Sequence, residues 1–131
     1  NAEELEVELV PQGTFAERIR SGGTGLGGVL TPTGIGTIVA EGKQVVEADG
    51  REFLLEKPLR ADVALLRGYK VDPFGNIWYR GDTRTFQPVM AMAADVVIAE
   101  ADMIVPLGSI PPEDVHTPGV LVDHIVKGGD W

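Results

Sequence analysis

Residues Val7–Thr37 read VELVPQGTFAERIRSGGTGLGGVLTPTGIGT, and the fold class turns on this stretch. Glu6, Glu8 and Val10 alternate with Val7 and Leu9, the period of a half-buried strand. Pro11 ends that strand because it has no N–H for a ladder. Gly13 allows a reversal, and Thr14 and Glu17 have the T-x-x-E spacing of a capping box. Phe15, Ala16 and Ile19 give the helix an apolar side, and Arg18 and Arg20 favour its C-terminal end. Strand, turn and helix in this order put Gln12 where open α/β sheets hold ligands, beyond a strand's carboxyl end. Its amide is a neutral double donor, suited to a carbonyl oxygen that becomes negative in a transition state. A glutamine in a turn also serves simply to satisfy backbone groups.

Working outward, Gly23, Gly25 and Gly28 fit G-x-G-x-x-G. The context is wrong for a dinucleotide fingerprint, which needs a strand before it and a helix after it. Here a helix precedes it and Thr31-Pro32-Thr33-Gly34 follows. Gly22–Gly28 is therefore expected to be a loop whose backbone approaches a ligand or another chain. Gly36–Gly42 reads as a short helical or irregular piece. Val45–Ala48 and Glu52–Glu56 flank Asp49-Gly50, a hairpin signal. Ala61–Gly68 is an apolar run read as a buried central strand. Asp72–Asn76 is a turn, followed by a strand or hairpin arm at Asn76–Arg80. Trp78 and Tyr79 read as packing residues, since no basic groove is evident around them. Gln87–Ala94 is a short helix with Pro88 in its first turn, and Asp95–Ala101 is a second buried strand. Strand, helix and strand in this order predict a parallel crossover. Val120–Val126 is the last strand.

The predicted fold class is α/β: an open, mostly parallel sheet with flanking helices and a small β-hairpin insertion. The 131 residues correspond to one domain. A net charge of −9 argues against nucleic acid or an anionic membrane as partner. There is no cysteine, hence no disulfide or thiolate chemistry, which is compatible with the cytoplasm. No apolar run has the length of a membrane span. His116 and His124 do not have a zinc spacing, so no metal is expected. G-x-S-x-G and Walker patterns are absent, and no catalytic set can be assembled by motif.

The run ELEVELVPQGTFAERIRSGGTGLGGVLTPTGIGT resembles the alpha (A) subunit of family I coenzyme A transferases, including acetate, butyrate–acetoacetate and 3-oxoacid types. The likeness continues through VAEGK, LLEKPLRADVALLRG, DPFGN, MAMAADVVIAEA and HTPGVLVDHIV. It implies transfer of coenzyme A between a short-chain acyl-CoA and a carboxylate or 3-oxo acid such as acetoacetate. The route runs through a glutamyl-CoA intermediate. It implies that coenzyme A is a substrate and that no further cofactor takes part. It also implies a beta (B) subunit, in a hetero-oligomer, whose S-E-N-G motif carries the glutamate; no such motif occurs here. The family's oxyanion-hole glutamine in V-P-Q-G-T maps onto Gln12. Its glycine segment beside the acyl pocket maps onto Gly22, Gly23, Gly25, Gly27 and Gly28.

Two departures stand out. A further segment with a G-G-F-x-x-x-G-x-P turn, usual at the start of the family's A subunit, is not found. R-N-F-N-P appears as Arg84-Thr85-Phe86-Gln87-Pro88. The chain is thus expected to be the C-terminal part of an alpha subunit, inactive alone. Two alternatives remain: a non-catalytic partner-binding fragment or diverged subunit, and a related sugar-phosphate isomerase or translation-factor-like fold.

Overall fold

The computed structural model describes residues 7–129. Helix α1 spans Gln12–Thr24, and three short strands follow: β1 (Val29–Thr31), β2 (Val45–Ala48) and β3 (Arg51–Glu56). They form an antiparallel sheet in the order β1-β3-β2. The β2–β3 turn is the expected Asp49-Gly50, with φ of 51° and 70°. Left-handed values at both positions give the turn the twist its strands need.

A second sheet has the order β5-β4-β6-β7, from β4 (Ala61–Val71), β5 (Ile77–Trp78), β6 (Ala94–Ile104) and β7 (His124–Lys127). β4–β6 and β6–β7 are parallel, and β5 is antiparallel to β4. Helix α2 (Gln87–Ala93) makes the crossover, with proline in its first turn as expected. Ala61 pairs with Ala94, so α2 runs back against the strand direction to return the chain to the start of β4. The α/β class, the hairpin, the crossover and a mixed, mostly parallel sheet all follow the sequence reading.

Ala64 and Leu66 of β4 and Val97, Ala99 and Ala101 of β6 share one buried face with Ile77, Tyr79 and Ala91. The other face of β4 is not covered by the described residues, and Leu65 is 71% exposed. The strand is central but buried on one side only. The turn after β4 is organised by Asp72, which is buried. Its carboxylate accepts from the backbone of Phe74 and Asn76 and from the Asn76 amide. Asn76 Oδ1 in turn accepts from Gly119 N–H and so seats the C-terminal tail.

The opening stretch departs from expectation. Residues 7–10 are not a strand, and Val7 and Leu9 are exposed; Glu6 lies outside the described residues. No strand among the described residues pairs with this segment. Instead Glu8 binds Arg18 at 3.0 Å and lies 4.0 Å from Lys43. The capping box does not form either. α1 begins at Gln12 with Pro11 as its N-cap, and Phe15 N–H bonds the Pro11 carbonyl at 2.9 Å. Thr14 is thereby drawn into the first turn and buried, Gly13 is helical, and Glu17 pairs with Arg20. The last strand is shorter than expected: Gly119–Leu121 is a 3-10 turn and pairing begins at His124.

Candidate functional site

α1 continues through Ser21, Gly22, Gly23 and Thr24, so the first half of the expected glycine loop is helix. Packing overrides glycine's poor helix propensity. A Cβ on Gly22 would collide with the Leu59 carbonyl, and one on Gly23 would lie 2.6 Å from Met92 Cβ. Bare backbone lets α1 lie against the 57–60 segment and α2. Leu59 N–H bonds the Arg18 carbonyl at 2.9 Å, and Arg60 donates to the Gly22 carbonyl at 3.0 Å. Gly25, at φ 73°, ends the helix, and Leu26 N–H returns to the Ser21 carbonyl. Gly25 and Gly27 meet nothing within 4 Å, whereas Gly28 sits tightly against the Glu56 carbonyl.

Gln12 is exposed in the first turn of α1. Its place relative to the sheet follows from three contacts. Gln87, the first residue of α2, accepts the Arg67 N–H at 2.6 Å, which fixes the start of α2 beside the later half of β4. The rings of Phe15 and Phe86 meet at 5.7 Å, aligning the starts of the two helices. Gly23 meets Met92 at their other ends. Both helices therefore start beside the later half of β4. Gln12 reaches that place although no strand precedes it.

The backbone N–H groups that open a helix lack intrahelical acceptors and add positive potential there. Beside them, Pro11, Gly13, Thr14 and Glu17 face Val29, Thr31 and Thr33 across a cleft of about 520 Å³. Residues of β1 thus join the start of α1, a partnership that sequence spacing did not reveal. Gly25, by contrast, lies at the far end of α1, about 20 Å from Gln12 at 1.5 Å per residue. Gly25 is thus not beside Gln12.

Neither histidine stands in a ligand set, and no group of three or more metal-ligating side chains occurs among the described residues. His116 Nδ1 accepts the Tyr79 N–H at 3.0 Å, and its ring stacks on Tyr79 and Trp78. Burial lowers its pKa, Arg84 lowers it further, and Asp114 opposes both. The Tyr79 hydroxyl is 2.7 Å from Thr117 Oγ1, and burial raises its pKa. These contacts give Tyr79 and His116 a packing role. The surroundings of Trp78 are more basic than its sequence neighbours indicate: Lys70 Nζ lies 5.4 Å from its ring centroid. No helix among the described residues is long and apolar enough to cross a membrane.

The family profile described as coenzyme A transferase matches residues 1–128. The chain is 52% identical over 123 residues to the acetate CoA-transferase subunit alpha of Escherichia coli K12, covering 94% of this chain and 56% of that one. It is 56% identical over 124 residues to the acetoacetyl-CoA:acetate/butyrate CoA transferase alpha subunit of Clostridium acetobutylicum, covering 95% and 57%. It therefore spans little more than half the length of these relatives. Among solved structures, the Escherichia coli O157:H7 acyl-CoA transferase in its thioester complex with CoA superposes with a TM-score of 0.83 at 24% identity, covering 93% of this chain and 29% of that one. Glutaconate coenzyme A-transferase of Acidaminococcus fermentans gives 0.81 at 17%, covering 91% and 44%. At these identities the two structures speak for the fold.

Proposed function

The chain belongs to the coenzyme A transferase family, and from that premise we propose that it is part of an alpha subunit whose enzyme moves coenzyme A from a short-chain acyl-CoA to a carboxylate or 3-oxo acid such as acetoacetate. The supporting observation is that V-P-Q-G-T leads into α1, whose start is held beside the later half of the parallel strand β4 and carries an exposed glutamine. The named substrates of its relatives are acetate, butyrate and acetoacetyl-CoA.

In this reading a glutamate of a beta subunit attacks the thioester carbonyl. The carbonyl oxygen takes the electron pair and becomes an oxyanion. Collapse expels the coenzyme A thiolate and leaves an acyl-glutamyl anhydride. The thiolate then attacks the glutamyl carbonyl, expelling the carboxylate and forming a glutamyl-CoA thioester. The acceptor acid takes the coenzyme A by the reverse steps. Gln12 donates its side-chain N–H to the oxygen that becomes negative, an interaction that strengthens as charge develops. The glycine segment has two parts. Gly22 and Gly23 seat α1, while Gly25, Gly27 and Gly28 border the substrate or the partner subunit. Coenzyme A is a substrate in this reading.

The test is reconstitution of the full alpha subunit with a beta subunit carrying the glutamate, followed by assay of acetyl-CoA with acetoacetate. Acetoacetyl-CoA formation that requires both subunits supports the reading. A correctly assembled pair that forms none contradicts it.

A further inference from the structure

Over β4 and β6, a second cleft of about 310 Å³ is lined by Arg67, Tyr69, Arg80, Thr83, Gln87 and Asp102. It holds two guanidinium groups and one carboxylate in a chain of net charge −9. Arg67 is committed to that carboxylate, with Nε 2.9 Å from Asp102 Oδ1. Arg80 is placed differently. Its guanidinium carbon lies 5.0 Å from the Tyr69 ring centroid, and it takes part in no ion pair among those of the described residues. The Thr83 hydroxyl and the Gln87 amide bond the Arg80 and Thr83 carbonyls, tying down the turn that follows Arg80. A guanidinium over an aromatic ring and free of a carboxylate keeps N–H donors for a ligand, and its fork suits phosphate oxygens. Gln87 also places this cleft at the start of α2, at the same end of the sheet as Gln12.

We infer that this cleft binds a phosphate group through Arg80, and that in the transferase the phosphate is one carried by the nucleotide end of coenzyme A. The second clause rests on the proposed transferase function; the first does not. Asp102 leaves Arg80 as the cation available to the ligand, because its own charge is answered by Arg67. The cleft thus recognises the carrier rather than the acyl group.

Two measurements test this. In calorimetry, adenosine 3′,5′-bisphosphate is titrated into the chain and into Arg80→Gln, with thermal melting as the check on folding and with adenosine and inorganic phosphate as comparison ligands. Bisphosphate binding weakened about tenfold by the substitution, with no binding of adenosine, is the expected result, tenfold being the scale of one charge-assisted hydrogen bond. In the assembled enzyme, Arg80→Gln is expected to raise KM for acetyl-CoA about tenfold and leave KM for acetyl-pantetheine, which lacks the nucleotide, unchanged. If the chain binds no phosphate compound, or if Arg80→Gln binds the bisphosphate as tightly as the original chain, the phosphate site is overturned. If inorganic phosphate competes while both KM values stay fixed or rise together, the assignment to coenzyme A is overturned. Bisphosphate binding that depends on Arg80, in a pair without transferase activity, upholds the site and contradicts the transferase reading.

Discussion

Phe15 and Phe86 meet with ring centroids 5.7 Å apart, and this contact sets the starts of α1 and α2 side by side. Phe15 is three residues after Gln12, on the same side of the helix, so the aromatic pair holds the turn that carries the glutamine. Gln87 follows Phe86 and is bonded to β4. Register therefore passes from the sheet to α2, from α2 to α1, and from α1 to the candidate oxyanion donor.

The glycines inside α1 set how closely the helices approach. Alanine at an open helical position stabilises relative to glycine by up to about 1 kcal/mol. At Gly23 a Cβ would meet Met92 at 2.6 Å, so Gly23→Ala is expected to destabilise instead, by about 1–3 kcal/mol. Gly27→Ala, with nothing within 4 Å, serves as the comparison and should be close to neutral. Urea unfolding of both variants checks the sign. A stabilised Gly23→Ala would mean that α1 and α2 are not in this close contact.

Lys43 and Glu56 form an ion pair at 2.7 Å, with the Glu56 side chain only 2% exposed. Lys43→Ala leaves a buried carboxylate without its partner. The expected loss is about 3–5 kcal/mol, as when one member of a buried pair is removed. Replacing both, as Lys43→Met with Glu56→Leu, is expected to recover most of that loss. Chemical denaturation of the single and double variants measures this, and a single variant as stable as the original would contradict the pairing.

His116 makes stability depend on pH. Its folded pKa is lowered because burial and Arg84 disfavour the imidazolium, and because neutral Nδ1 accepts the Tyr79 N–H. The unfolded chain then binds more protons in the interval below the ordinary value of 6.5. Stability from this group is complete above that value and is lost as pH falls through the folded pKa. His116→Asn offers an acceptor and does not titrate. The difference between the two denaturation midpoints, followed from pH 7.5 down to 5, should move against the original chain. A difference that moves in its favour on acidification would contradict the geometry.

The parts legible in sequence are those set by neighbouring residues. Asp49-Gly50 specifies a hairpin turn by its own backbone preferences, and Pro88 marks the first turn of α2 by lacking an N–H. The apolar runs at 61–68 and 95–101 read as strands without reference to the rest of the chain. The misread parts depend on distant contacts. Residues 7–10 have strand alternation but no strand beside them, and Glu8 binds Arg18 instead. Thr14 and Glu17 have capping-box spacing, but Pro11 starts the helix earlier. Gly22 and Gly23 look like loop residues until Leu59 and Met92 are placed against them. Of the candidate site, sequence reasoning named Gln12 and the glycine segment alone. Thr31 reaches the cleft at the start of α1 when β1 pairs with β3, and Arg67 and Arg80 share a cleft only after β4 and β5 have paired.

The most direct measurement is kcat of Gln12→Ala in the assembled enzyme, with acetyl-CoA and acetoacetate as substrates. A donor that acts on the developing oxyanion predicts a loss of about 10²–10³ in kcat with KM nearly unchanged. Turnover within a few-fold of the original enzyme, or a change confined to KM, would contradict the proposed role of Gln12 as oxyanion donor.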